Sequence, residues 1–273
     1  SWSMYDFANQ PFTTLIVTFI FSAFFTEHLA VDNQTGTYLW SLGIATTAIV
    51  VSLASPFLGA LADSGGYRKL FFMFSTYLCV VATAALYFLK PDYVFNIMTL
   101  DIHVSVVALV IFIIANIGFE FGTVFCNSYL LDLSSEKNIG KISGYAWGLG
   151  FIGGLIVLAM SFFFFDLDNT DDIRIINLLV AIWFLIFSIP AFWFVKDRKP
   201  QKGMHRYFKQ SLNSILLSFR NVSEYKPIVR FLIARLFYND ALITIFAFGG
   251  IYAAGTLRFT FNEILILGIV LNF

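Results

Sequence analysis

The sequence predicts an all-α, polytopic membrane protein, and three observations lead there. Of its 273 residues, 59% are hydrophobic and only 12% are charged, about half the charged share of an ordinary soluble domain. The mean hydropathy is +0.80, and 34 phenylalanines are more than one water-soluble domain can hide behind so few charges. Apolar runs of about twenty residues, the length of helix that crosses ~30 Å of hydrocarbon, recur along the whole chain. The same figures exclude disorder, which needs low hydrophobicity and high net charge. Basic and acidic residues number 17 each, so no positive excess exists to neutralise phosphates, and no nucleic acid is expected as a partner.

The first run covers Phe7 to Phe25, and a loop from Glu27 to Thr37 separates it from the second, Tyr38 to Ala62. The tight Gly65-Gly66 reversal leads into the third, Leu70 to Leu89. The fourth is Val104 to Leu131, the fifth Ile142 to Phe165 and the sixth Ile175 to Val195. A longer polar segment, Lys196 to Pro227, then precedes the seventh, Ile228 to Leu257. Within that segment Phe208, Leu212, Ile215 and Phe219 recur at helical spacing between Lys209 and Arg220, as in an amphipathic helix lying in the membrane interface. An eighth run starts near Ile264 and is too short to span before Phe273. With no initiator Met and no signal peptide at Ser1-Trp2-Ser3, the chain reads as part of a longer protein. The expected organisation is a six-helix bundle over 1–195, a linker over 196–227 and the start of a second bundle over 228–273.

Basic residues set the orientation, because Lys and Arg are retained on the cytoplasmic side. Arg68, Lys69, Lys137, Lys141, Lys196, Arg198, Lys199, Lys202, Arg206, Lys209, Arg220 and Lys226 fall in even-numbered connections, against Lys90, Arg174 and Arg258 in odd ones. The amino terminus is therefore expected in the cytoplasm. Cys79 and Cys126 lie inside apolar runs, which offers neither a disulfide framework nor metal spacing. His28, His103 and His205 are scattered over both sides and build no catalytic site, so no enzyme, cofactor or metal is expected.

The most specific local signal is the turn Gly59-Ala60-Leu61-Ala62-Asp63-Ser64-Gly65-Gly66-Tyr67-Arg68-Lys69. Gly59 would let another helix approach, Gly65 and Gly66 permit the reversal, and Asp63 can pair with a cation or cap a helix. This pattern resembles the signature loop of the major facilitator superfamily, matched here by Gly59, Asp63, Gly66, Arg68 and Lys69, with Ser64 departing from it. The resemblance implies that Asp63 and Arg68 help hold a cytoplasmic gate. The opening Tyr5-Asp6-Phe7-Ala8-Asn9, the run Ser143-Gly144-Tyr145-Ala146-Trp147-Gly148-Leu149-Gly150-Phe151-Ile152-Gly153-Gly154, and Tyr238-Asn239-Asp240 are similar to the vacuole-effluxer branch of that superfamily. Its fungal namesakes export amino acids from the vacuole, and it has many bacterial relatives. The short loops suit a bacterial cytoplasmic membrane protein, with the vacuolar membrane as the setting if the source is fungal.

Candidate site residues follow from polar groups at membrane depth. Asn116, Glu120, Thr123 and Asn127 share one face of the fourth helix, and Glu120 sits mid-span, where an ionisable group marks function by default. It reads either as a proton-coupling carboxylate or as an anchor for an ammonium group; a neutral Glu tying helices together is the plain alternative. In the seventh helix Arg235 and Asn239 lie one turn apart, with Tyr238 and Asp240 on adjoining faces. Arg235 either meets a substrate carboxylate, pairs with Glu120 across the two halves, or snorkels to the headgroups. Asp6, Asn9, Gln10 and Thr13 form a polar stripe on the first helix expected to face a central cavity. Gly144, Gly148, Gly150 and Gly154 supply two small-xxx-small pairs for close helix packing. Asp166, Asp168, Asp171 and Asp172 read as a solvated acidic turn.

The resulting expectation is a secondary active transporter moving a small organic solute, with amino acids as one option, by alternating access and with protons as one coupling option. Its partners would be that solute and the lipid bilayer. The alternative is a non-transporting scaffold or receptor-like protein of the same fold.

Overall fold

In the computed structural model, which describes residues 2–91, 93–97, 100–135, 137–195 and 226–271, seven helices are long and apolar enough to cross a membrane. They are α1 (Met4–Leu29), α2 (Asn33–Gly65), α3 (Arg68–Ala85), α4 (Val104–Ser128), α5 (Ile139–Phe164), α6 (Thr170–Phe194) and α7 (Lys226–Gly255), with the shorter α8 (Phe261–Leu271) last. Each apolar run of the sequence becomes one helix, and all but α4 begin a few residues earlier, in the polar flank. For α2 the extension has a clear cause: Asp32 caps the helix, its carboxylate accepting from the Thr35 amide at 2.9 Å and the Thr35 hydroxyl at 2.7 Å, which holds that carboxyl below the usual aspartate range. At the other end Gly66, at φ 68°, closes α2 in the left-handed conformation that favours glycine. The amphipathic helix expected between 196 and 225 lies outside the described residues.

One element was not foreseen. Val94–Ile97 (β1) and Leu100–His103 (β2) pair antiparallel, Val94 opposite His103 and Ile97 opposite Leu100. The hairpin links α3 to α4 at the end of the bundle opposite the start of α1. That end is called here the hairpin face, and the one carrying Met4, Gly66 and Ile139 the amino-terminal face.

Helix α1 is the axis of the bundle. Of its most apolar window 78% is buried, against 6% for α7, and it packs on α5, α6 and α7. Pro11 has no N–H to give the carbonyl of Phe7, and that carbonyl instead accepts from Trp183 Nε1 of α6 at 3.1 Å. Beyond the proline the helix widens into a π-helix over Phe12–Phe19, returns to α over Phe21–Phe24, and widens again over Phe25–Leu29. Its amino-terminal end is tied down by Trp2 Nε1, which donates to the Cys126 carbonyl at 2.8 Å, and by the Tyr5–Thr76 hydroxyl pair at 3.0 Å.

Glycines set the closest approaches, though not at all the expected positions. A Cβ on Gly118 of α4 would stand 2.7 Å from the Cys79 amide nitrogen and 2.8 Å from the Ser75 carbonyl of α3. On α5, Gly150 and Gly153 face the carbonyls of Asp6 and Phe7, and Gly154 faces Thr14. Gly59, Gly144 and Gly148 depart from expectation: nothing lies within 4 Å of a Cβ built on any of them. Repeated small residues mark where a helix can be approached, and α1 reaches α5 only over the later glycines.

Replacing Gly118 by alanine is expected to push α3 and α4 apart, because the obstructing atoms are backbone. The cost is about 1–3 kcal/mol, read as a lower thermal unfolding midpoint of the detergent-solubilised protein; an unchanged midpoint would contradict this packing.

Candidate functional site

Helices α1, α2, α4 and α7 enclose a cavity of about 330 Å³. Its polar lining is Thr13 from α1, Thr47 and Ser52 from α2, and Asn116 and Glu120 from α4. Val17, Ile44, Val51, Phe119, Ile243 and Phe246 supply most of the apolar wall. Asn116 and Glu120 face the same space because they are one helical turn apart. Asn116 and Thr47 are buried, and the Thr47 hydroxyl has no hydrogen-bond partner. A second cavity, of about 300 Å³, lies between α1, α5, α7 and α8 and includes Gln10, Thr14, Thr18 and Trp147. Thr13 and Phe246 line both.

The expected site residues divide. Asn116 and Glu120 reach the first cavity, whereas Thr123 turns its buried hydroxyl to no partner and Asn127 is exposed near the end of α4. From the α1 stripe, Gln10 and Thr13 line cavities, but Asp6 packs against Gly150 and Asn9 is buried, and neither lines these two cavities. The π-helical turn begins just after Pro11, so residues on either side of it do not keep one straight stripe. Arg235, Tyr238 and Asp240 are exposed and Asn239 is half-buried. Arg235 shares a four-residue spacing with Asn239, Ile243 and Ala247, yet only the last two line the cavity. Among the described residues no ion pair joins Arg235 to Glu120; eight residues separate Arg235 from Ile243, about 12 Å along the helix.

Towards the hairpin face, Trp40 Nε1 donates to the Ala247 carbonyl at 2.9 Å while its ring stacks on Phe112 with centroids 4.1 Å apart. A Cβ on Gly250 would lie 2.3 Å from the Thr18 carbonyl and 2.8 Å from that of Phe19, so α7 rests on the α1 backbone. At the hairpin face the cavity is thus shut by α7 against α1 and α2.

At the amino-terminal face Arg68 Nη1 donates to Asp132 Oδ2 at 2.8 Å, and its guanidinium lies 5.9 Å from the Tyr129 ring. This fastens the start of α3 to the single turn Leu130–Leu133 that follows α4. The side chain of Asp63 lies outside the described residues, so the partnership of Asp63 and Arg68 is not seen here. Sequence reading missed Asp132, Thr47, Ser52 and Trp40. Asp132 had one usable signal, an acid beside the last apolar turn of α4 on the face where the basic turn lies. Among the described residues no three His, Cys, Asp or Glu side chains gather as metal ligands would. Replacing Arg68 and Asp132 singly and together by alanine is expected to give a coupling of about 1 kcal/mol in thermal stability; strict additivity would mean that the pair contributes nothing.

Residues 32–273 match a family model described as vacuole effluxer Atg22 like. The chain is 26% identical over 266 residues to the protein named "Uncharacterized MFS-type transporter YxiO" of Bacillus subtilis, covering 93% of this chain and 59% of that protein. It is 23% identical over 180 residues to autophagy-related protein 22 of Yarrowia lipolytica, covering 57% of this chain and 31% of that protein. The chain therefore spans about three fifths, or less, of the length of these relatives. Among solved structures it is similar to the xylose transporter XylE from E. coli in a partially occluded inward-open conformation, with a TM-score of 0.54 and 16% identity over 99% of this chain and 69% of that one. That likeness establishes the major-facilitator helical fold.

Proposed function

Because the chain belongs to the Atg22-like vacuole effluxer family, we propose that the whole protein is a secondary active transporter that moves a small organic solute, amino acids first among the candidates, by alternating access. The observation that carries this reading is a cavity deep in the bundle between α1, α2, α4 and α7, whose described lining holds one carboxylate, Glu120 of α4, and which α7 closes against α1 and α2 at the hairpin face. A carrier needs a binding space that opens to one side at a time. With the basic turns placed in the cytoplasm, the closed hairpin face lies outwards and the amino terminus is cytoplasmic. The membrane is the bacterial cytoplasmic membrane, in keeping with relatives from Bacillus subtilis and Aquifex aeolicus that cover 93% and 92% of the chain.

Glu120 is the coupling group in this proposal. A carboxylate facing a cavity in low dielectric exchanges a proton when the cavity is open and cannot stay charged cheaply when it is sealed. Proton transfer then follows the swing between states. Glu120→Gln in the full-length protein is expected to abolish pH-gradient-driven uptake of labelled amino acids into proteoliposomes, while folding and facilitated exchange persist. Retained gradient-driven flux would exclude Glu120 as the coupling group.

The closure itself gives a second prediction. Gly250→Val puts carbon atoms where the Thr18 and Phe19 carbonyls stand, so the hairpin face cannot shut. In a full-length background a cysteine placed at Thr37 is expected to react faster with a membrane-impermeant thiol reagent added at the hairpin face, and one at Asn239 more slowly from the other side. Unchanged labelling at both positions would remove the support for a two-state carrier and favour a scaffold of the same fold.

A further inference from the structure

Building on the transporter reading above, we propose that α1 carries a movable π-helical turn. It stands where α7 closes while the hairpin face is shut, is held there by the Ser22 hydroxyl, and moves one turn towards Pro11 when that face opens. Ser22 is then a positioning residue of the gate, and Val17, Thr18 and Phe19 are the residues that turn.

The main-chain bonds locate this turn. The Ile20 amide donates five residues back, to the Leu15 carbonyl at 2.9 Å, whereas the Phe24 amide donates four back, to the Ile20 carbonyl at 2.9 Å. Between these two bonds stand four carbonyls, Ile16 to Phe19, and three amides, Phe21 to Ala23. With one amide to each carbonyl, one carbonyl is left over at the join, which is costly in hydrocarbon. The Ser22 hydroxyl, fully buried, donates to the Thr18 carbonyl at 2.9 Å and makes the donors equal to the acceptors. Ser161 makes the same bond to the Val157 carbonyl at 2.9 Å in α5. There the helix is regular, the carbonyl already has an amide, and the hydroxyl is surplus.

The join is also where α7 comes to rest. The carbonyls that a Cβ on Gly250 would strike belong to Thr18 and Phe19, the last two residues of the π segment, and Ile20 bends the chain after them at φ −97° and ψ −62°. A π turn holds one residue more than an α turn. That residue cannot be expelled while both flanks of α1 are held, by the Trp2, Tyr5 and Trp183 bonds at one end and by Phe25 against Trp40, centroids 5.5 Å apart, at the other. It can move along the helix, and each residue it passes turns by about 100°. Pro11 marks the direction, because the helix there already lacks one N–H. Val17 lines the first cavity, and Thr18 and Phe19 line the second, so the movement that frees α7 also changes the walls of both.

The test uses the purified full-length protein in detergent and the rate at which single introduced cysteines react with a water-soluble thiol reagent. Ser22→Ala is expected to speed labelling of a cysteine at Thr37 about fivefold without speeding it at Asn239, and Ser161→Ala to change neither. In a second comparison cysteines stand at Val17 or at Thr18. Val17 is expected to be the faster of the two in the wild-type background and Thr18 the faster with Gly250→Val, whereas a helix that rocks as a rigid rod keeps their order. The proposal is overturned if Ser22→Ala leaves the Thr37 rate unchanged, if it raises the Asn239 rate as well, as general loosening would, or if Ser161→Ala acts alike. It is overturned too if Val17 and Thr18 keep one order in both backgrounds. In each of these cases a persisting Thr37 response to Gly250→Val leaves alternating access standing, whereas loss of that response brings down both readings.

Discussion

Within hydrocarbon a backbone carbonyl has no water to fall back on, and helix α1 has to meet that condition while carrying a proline in its first third. Pro11 frees the carbonyl of Phe7, and the indole of Trp183 takes it. The same carbonyl is approached by Gly153 of α5 so closely that no side chain fits between. One lost hydrogen bond thereby fixes where α5 and α6 sit on α1. The π-helical segment beyond it is a second consequence, since a widened turn reassigns the remaining carbonyls and rotates Thr13, Thr14 and Thr18 towards the two cavities. The bundle hangs on the most buried helix being the least regular one.

Much of the architecture was legible because lipid imposes length and composition on anything that crosses it. Seven apolar runs became seven spanning helices, and Glu120 with Asn116 was recognisable as polar material at a depth where polarity needs a reason. The hairpin over Val94–His103 was not legible: eight short-range residues outside the bilayer carry no length constraint, and their pairing depends on the turn between them. Thr47 and Ser52 were hidden for the opposite reason. A hydroxyl can back-bond to its own helix and pass for apolar, so its presence in a run says little until its partner is known. Spacing identified the glycines of α5, yet it could not say which neighbour stood opposite. Only Gly150, Gly153 and Gly154 meet α1 or its side chains, because only there does α1 run against α5. Trp40 read as one aromatic among many in a chain rich in them; what sets it apart is the carbonyl of Ala247, more than two hundred residues away in sequence.

Charge is handled by placement more than by pairing. Arg68 meets Asp132 at the amino-terminal face, and at the hairpin face Arg174 donates to the Tyr87 carbonyl, pairs with Asp171 and lies 5.1 Å from the Tyr87 ring. Both arginines join elements at the margins of the bundle, where part of the cost of burial is offset by water at one edge. Glu120 stands apart from this pattern. Among the described residues no ion pair reaches it, and it lines the cavity one turn from Asn116.

The contact that closes the hairpin face is made almost entirely of main chain: Gly250 against the carbonyls of Thr18 and Phe19, and the carbonyl of Ala247 against one indole. What the seam demands of the sequence is smallness at Gly250 and an indole at Trp40, the two positions at which drift would first be felt in how α7 meets α1 and α2.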